Sequence, residues 1–297
     1  MNGTLHVASG GAVLDTLDVS SRGTMLVTTS SAAGSEIKIL DNSGALSETI
    51  PIDSRVKQAK FAPNSDSIAI FAFEGASAQV WDLTNKQMIY EVRSHSDSVT
   101  DVSFPPMEGL VAVSSADGSW SLHDYTRGVV MLHLRDQAKI SALQFHPDGL
   151  IMAVGLANGK ILVYDIRDMQ LASELEAATA APVKQLCFSN KGIFLAASWE
   201  GYHTCRVYSL HKGFAVSEIK QSGQAITCLS FDLYGGFLAV GTSDGLGISS
   251  YKNWKKNLMS LHPFENNGVH SMNFEASGRK IFVTNRAHGE IVTLSLQ

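Results

Sequence analysis

The chain has 297 residues, 44% hydrophobic and only 17% charged, with 23 basic against 28 acidic side chains and a formal net charge of −5. Its apolar fraction excludes disorder, its scarcity of Glu, Lys and Arg excludes a coiled coil, and its acidic balance gives no footprint for general nucleic-acid binding. No run approaches the roughly 20 apolar residues of a membrane span, Met1–Gly10 does not read as a secretory signal, and an odd set of cysteines (Cys187, Cys205, Cys228) predicts reduced thiols in an intracellular compartment.

In chain order, the first predicted element is Gly3-Thr-Leu-His-Val-Ala8, which alternates like an exposed outer strand. Leu14-Asp-Thr-Leu-Asp-Val19 follows as a weak first copy of a recurring pattern. That pattern is an aliphatic residue, two variable ones, an aliphatic or small one, one more, then an aromatic. It reads Val56-Lys-Gln-Ala-Lys-Phe61, Val99-Thr-Asp-Val-Ser-Phe104, Ile140-Ser-Ala-Leu-Gln-Phe145, Val183-Lys-Gln-Leu-Cys-Phe188, Ile226-Thr-Cys-Leu-Ser-Phe231 and Val269-His-Ser-Met-Asn-Phe274. Successive anchors, from Val19 to Phe274, lie 41 to 43 residues apart.

Within each copy the order repeats too. A turn such as Pro63-Asn-Ser-Asp66, Pro147-Asp-Gly149 or Asn190-Lys-Gly192 leads to a strand of small and branched residues, such as Leu110-Val-Ala-Val113, Ile151-Met-Ala-Val154 or Phe194-Leu-Ala-Ala197. A tight turn closes it (Ala116-Asp-Gly118, Ala157-Asn-Gly159, Trp199-Glu-Gly201, Ser243-Asp-Gly245) and a third strand follows (Gln79–Asp82, Ile161–Asp165, Arg206–Tyr208). The fourth is more polar, as in Met88–Val92 and Val130–Leu134. Four short strands per repeat of this length are the signature of a β-propeller blade. The expected fold is all-β, a seven-bladed propeller occupying residues 1–297 as one domain. The last copy stops at its third strand, Glu290–Leu296, so residues 3–9 are expected to supply its outer strand and close the ring.

Several residues carry the marks of the WD-repeat family. Trp81-Asp82 is the literal dipeptide, His123-Asp124 and Tyr164-Asp165 are variants, and Ser94-His95 stands for the family's Gly-His. His95 and Asp117 occupy the places of the family's buried His–Asp hydrogen bond. Trp81, Asp82, His95, Asp117, Asp124 and Asp165 are therefore read as structural. Gly241-Thr-Ser-Asp-Gly245 fits a nucleophile elbow but falls on a blade turn with no helix behind it. Gly155–Lys160 is one residue short of a phosphate-binding loop and occupies the same kind of turn. The strand starts Leu14, Val56, Val99, Ile140, Val183, Ile226 and Val269 show no acidic or His ring for a channel active site. No catalytic residue, metal or cofactor is expected, and a channel lined by apolar and hydroxyl groups would remove the hydrolase alternative.

The second-to-third strand turns and the loops entering the inner strands share one face. Phe73, Glu74, Asp117, Trp199, Glu200, Tyr202, Asp244, Asn285 and Arg286 fall there, with Glu74, Asp117, Trp199, Glu200, Tyr202, Asp244 and Arg286 as the candidate partner-binding set. Trp199 is either an exposed anchor or a ring folded over its own blade. The basic spot Lys252, Lys255 and Lys256 around Trp254 could touch a phosphate or be a solvated loop.

Gln144-Phe-His-Pro-Asp-Gly-Leu-Ile151, Phe188-Ser-Asn-Lys-Gly192, the Thr126-Arg-Gly128 turn and a sixth-blade third strand breaking into Tyr251-Lys-Asn-Trp254 carry a more specific likeness. Across all seven blades the chain resembles the C-terminal WD-repeat propeller of the pre-mRNA-processing factor nineteen family. That resemblance implies a nuclear, spliceosome-associated U-box ubiquitin ligase, linked also to DNA repair. The propeller would recruit protein partners and ubiquitylation substrates without catalysis of its own, with no membrane contact and no direct nucleic-acid binding. No U-box or heptads precede Leu14, so oligomerisation is expected through a region absent from this chain. The alternative is a WD-repeat scaffold of another intracellular complex, in trafficking or chromatin.

Overall fold

The repeated hexapeptide decides how each inner strand sits. A regular strand alternates faces, but here the register slips at the second position of six of the seven copies, between Leu14 and Thr16, Val56 and Gln58, Val99 and Asp101, Ile140 and Ala142, Val183 and Gln185, and Ile226 and Cys228. A β-bulge of this kind re-aims the side chains beside it. The first, fourth and sixth residues, such as Val56, Ala59 and Phe61, are buried in the blade, while the second, third and fifth turn away from that core.

The computed structural model describes residues 3–6, 12–31, 34–63, 65–136, 138–221, 224–264, 268–275, 278–285 and 289–295. These residues form seven four-stranded antiparallel sheets and no helix. The inner strands are Val13–Val19, Val56–Phe61, Val99–Ser103, Ile140–Phe145, Val183–Phe188, Ile226–Phe231 and Ser271–Phe274, and in blades one to six the next three strands follow in chain order. The architecture is a seven-bladed propeller. Its seventh sheet is Ser271–Phe274, Lys280–Asn285, Glu290–Ser295 and then Gly3–His6, which pairs antiparallel with Glu290–Ser295. The ring thus closes with the N-terminal strand; Val7, Ala8 and Ser9, also expected there, lie outside the described residues.

The core sits between blades. One cluster joins Ala153, Ile161 and Val163 of blade four to Val183, Leu195, Trp199 and Tyr208 of blade five, and the other clusters bridge neighbours in the same way. Small residues on the second strands are required by this contact. A Cβ on Gly155 would stand 2.6 Å from Val183, the first residue of the next inner strand, and one on Gly241 2.5 Å from Cys228 of its own blade and 2.9 Å from Val269, just before the next inner strand. Both glycines sit on second strands, Ile151–Leu156 and Phe237–Thr242, so the apparent catalytic motifs containing them are blade strands and turns.

Blade six departs from the expected layout. Its third strand is Leu246–Ser250; Tyr251 and Lys252 form the turn, and Trp254 belongs to the outer strand Asn253–Leu261. The pairing jumps from Ser250 with Asn253 to Ser249 with Asn257. The bulge lets the Trp254 ring turn inward, edge-to-face against Phe194 and Phe231.

Candidate interaction surfaces

Alternating loops give the ring two faces. The upper one carries the second-to-third strand turns and the loops entering the inner strands, and the lower one carries the other turns. Of the candidates on the upper face, Glu74, Glu200, Tyr202 and Asp244 are exposed, Tyr202 at 41%. Glu74 pairs with Arg55 at 3.3 Å, and Arg55 also reaches Asp15 at 2.8 Å. Arg286 lies outside the described residues. The exposed members are therefore three carboxylates and a tyrosine.

Trp199 is not an exposed anchor. It ends the second strand of blade five, is fully buried, and its indole N–H donates to the Gly159 carbonyl of blade four at 3.0 Å. Its ring packs with Ala153, Ile161 and Val163 of blade four, an apolar wedge that buries a large aromatic while its N–H finds a partner. Phe73 and Asn285 are buried as well, at 5% and 2% exposure.

His95 and Asp117 are neighbours, but at 3.8 Å they are linked through a third group. Ser119 Oγ donates to Asp117 Oδ1 and lies 2.9 Å from His95 Nδ1. From His95 Nε2 the chain runs to Ser121 Oγ at 2.7 Å, on to His123 Nε2 at 2.6 Å, and from His123 Nδ1 to Tyr90 OH at 3.0 Å. His123 takes the place of the family's tryptophan, and this polar residue is what extends the network. Burial pushes both imidazoles down to about 4, so they are neutral at physiological pH. Burial alone would raise the Asp117 carboxyl, but hydrogen bonds from Ser119 and the Ser96 N–H hold it well below the usual range. Although Asp117, His95 and Ser121 resemble a triad, Ser121 is fully buried and no substrate atom can reach it.

The other WD aspartates fold turns on the lower face. Asp82 accepts the N–H groups of Thr84 and Asn85, Asp124 those of Thr126 and Arg127, and Asp165 that of Arg167. Side-chain hydrogen bonding with Arg167 draws the Asp165 carboxyl down to about 2. Trp81 is half-buried, with its indole N–H on Gln79. Asp41 does the same work in blade one, accepting from Ser43 and Ala45. It is one repeat length before Asp82, and that spacing is the signal by which it could have been found.

The central channel, about 510 Å³, is lined by charged and amide side chains as well as apolar and hydroxyl groups, so its lining does not by itself remove the hydrolase alternative. The strand starts face the blade cores. The second, third and fifth positions of the hexapeptides line the channel instead and include Asp15, Lys57, Lys60, Asp101, Lys184 and His270. Many of these groups stitch one blade to the next. Gln58 accepts from Val102 N–H, Asp101 from Leu143 N–H and Gln185 from Leu229 N–H, each third position reaching the same residue of the following blade. Lys184 donates to the Ile226 carbonyl at 2.9 Å, Lys60 pairs with Asp101 at 3.1 Å, and across the closure His270 donates to the Asp15 carbonyl. Burial raises the Cys187 thiol to about 11 and the Cys228 thiol to about 12, leaving them protonated. Among the described residues no group of three or more His, Cys, Asp or Glu could hold a metal ion.

Seven four-stranded blades, aspartate-capped turns and the His–Asp network of blade three define the class: a WD-type β-propeller. The sequence profile of the nucleolar protein 10-like N-terminal domain matches residues 20–251, and the chain belongs to that propeller family. It is also similar to pre-mRNA-processing factor 19 of Dictyostelium discoideum, at 24% identity over 80% of this chain and 48% of that protein. Similar too are the Bos taurus protein of that name (26%, covering 72% and 42%) and homolog 2 from Arabidopsis thaliana (27%, covering 68% and 39%). The chain spans less than half the length of these relatives.

Proposed function

We propose that this chain is the protein-recruiting propeller of a nuclear pre-mRNA splicing factor, occupying residues 1–297 as one domain. The observation that carries this reading is the similarity, across most of the chain, to proteins named for pre-mRNA processing. The nucleolar name of the matched family supports a nuclear place. Many of the channel's charged and amide groups are engaged between blades, so this reading rests on recruitment and not on chemistry in the channel. The exposed upper-face set Glu74, Glu200, Tyr202 and Asp244, with Arg286, is the proposed contact for basic protein segments, since three of its members are carboxylates. Association with a U-box ligase, delivery of ubiquitylation substrates and a part in DNA repair belong to the same reading.

Depleting the protein from cells tests it. The expected outcome is a broad rise in intron retention, reversed by the full-length protein but not by one lacking this propeller. Normal splicing after complete depletion would overturn the proposal and favour a scaffold of another complex.

A further inference from the structure

Blade six breaks the repeat, and the break shapes the groove beside it. On the lower face, the first loop of blade five and the third-to-fourth strand turns of blades five and six enclose a groove of about 760 Å³. Its floor is apolar: Ile193, Phe194 and Val216 from blade five, with Trp254 brought in by the outer-strand bulge. Ile193 of the floor and Tyr251 at the edge are 47% and 50% exposed, so two large apolar surfaces face water here. The rim carries two lysines and a histidine. His211, Lys212 and Lys252 line it and are exposed, and no Asp or Glu does. In a chain of net charge −5, that is a local reversal of sign, opposite to the carboxylates of the upper face. The side chains of Lys255 and Lys256 lie outside those described.

Resting on the protein-recruiting role above, we infer that this groove docks an acidic peptide segment, its Asp and Glu side chains against the His211–Lys252 rim and one aliphatic or aromatic side chain on the Ile193–Trp254 floor. Charge complementarity selects the acidic flanks, and the recessed apolar floor selects the anchor. Single-stranded RNA fits less well. Base stacking needs several open aromatic faces; Tyr251 offers one, Trp254 is 6% exposed, and no arginine lines the groove.

The test is selection from a random dodecapeptide phage library on the full chain, with affinities of the enriched peptides measured by fluorescence anisotropy. A twelve-nucleotide poly(U) RNA serves as a second probe. Enriched sequences are expected to place Asp or Glu beside Leu, Ile or Phe. Their affinity should fall at least tenfold in the His211→Glu/Lys252→Glu double variant and about tenfold in Tyr251→Ala, with melting temperatures unchanged because all three side chains are exposed. Neutral or basic winners, winners unaffected by the double variant, or no enrichment would overturn the groove assignment. Poly(U) binding tighter than any peptide, and lost on charge reversal, would overturn the occupant. Any of these results leaves the splicing readout to decide the proposed function separately.

Discussion

Trp199 bears on stability because its indole is buried between two blades and bonded to the neighbour's backbone. Trp199→Phe should cost about 1 kcal/mol, the net worth of a hydrogen bond, and Trp199→Ala about 3–5 kcal/mol from the cavity. Urea unfolding checks both; a Trp199→Ala variant of unchanged stability would contradict the wedge. His95 and His123 set a pH dependence. Their folded values near 4 lie below the ordinary 6.5, so the unfolded chain binds more protons between those limits. Stability is therefore full above about pH 6.5 and falls as pH drops toward 4, by at most about 3 kcal/mol for each ring. His123→Gln should flatten the loss between pH 7 and pH 5, while an unaltered slope would place the buried charge elsewhere. The His–Asp pairing was legible as proximity, through the family pattern. The serine between the two was not, because Ser119 is ordinary in sequence and gains its role only when the third strand folds beside His95.

Elements were legible where periodicity is strict. The hexapeptide marks every inner strand, and its paired variable positions are the trace of the bulge. Reading only the strand starts hid the channel, since those residues are the ones the bulge sends into the blade core. Blade six was misread for a related reason: Trp254 imitates a third-strand tryptophan but is delivered by an irregular outer strand, and register shifts leave no periodic mark. The closing strand makes a prediction at this scale. Gly3–His6 covers the edge of Glu290–Ser295, and an uncovered edge templates association. Deleting residues 1–9 should lower the melting temperature by several degrees and shift the protein toward oligomers in size-exclusion chromatography. A monomeric deletion with an unchanged melting temperature would contradict closure by this strand.

For the whole molecule, the low charge follows from the ring. Most of each blade is covered by its neighbours, and in the channel ion pairs and amide–backbone bonds tie successive blades together. The surface left over is uneven, with the exposed carboxylates Glu74, Glu200 and Asp244 on the upper face and a lysine-rimmed apolar groove on the lower. Seven blades could be counted from the chain alone, because the repeat is a property of local pattern. The faces could not be weighed that way, since exposure of Trp199 or Ile193 depends on which neighbour each meets. The central claim is that this propeller gathers splicing proteins, and affinity purification of the intact protein from nuclear extract, with quantitative mass spectrometry, tests it most directly. The account predicts spliceosomal proteins enriched at least tenfold over an unrelated WD propeller. Equal recovery on both baits, or enrichment of trafficking or chromatin complexes instead, would contradict it.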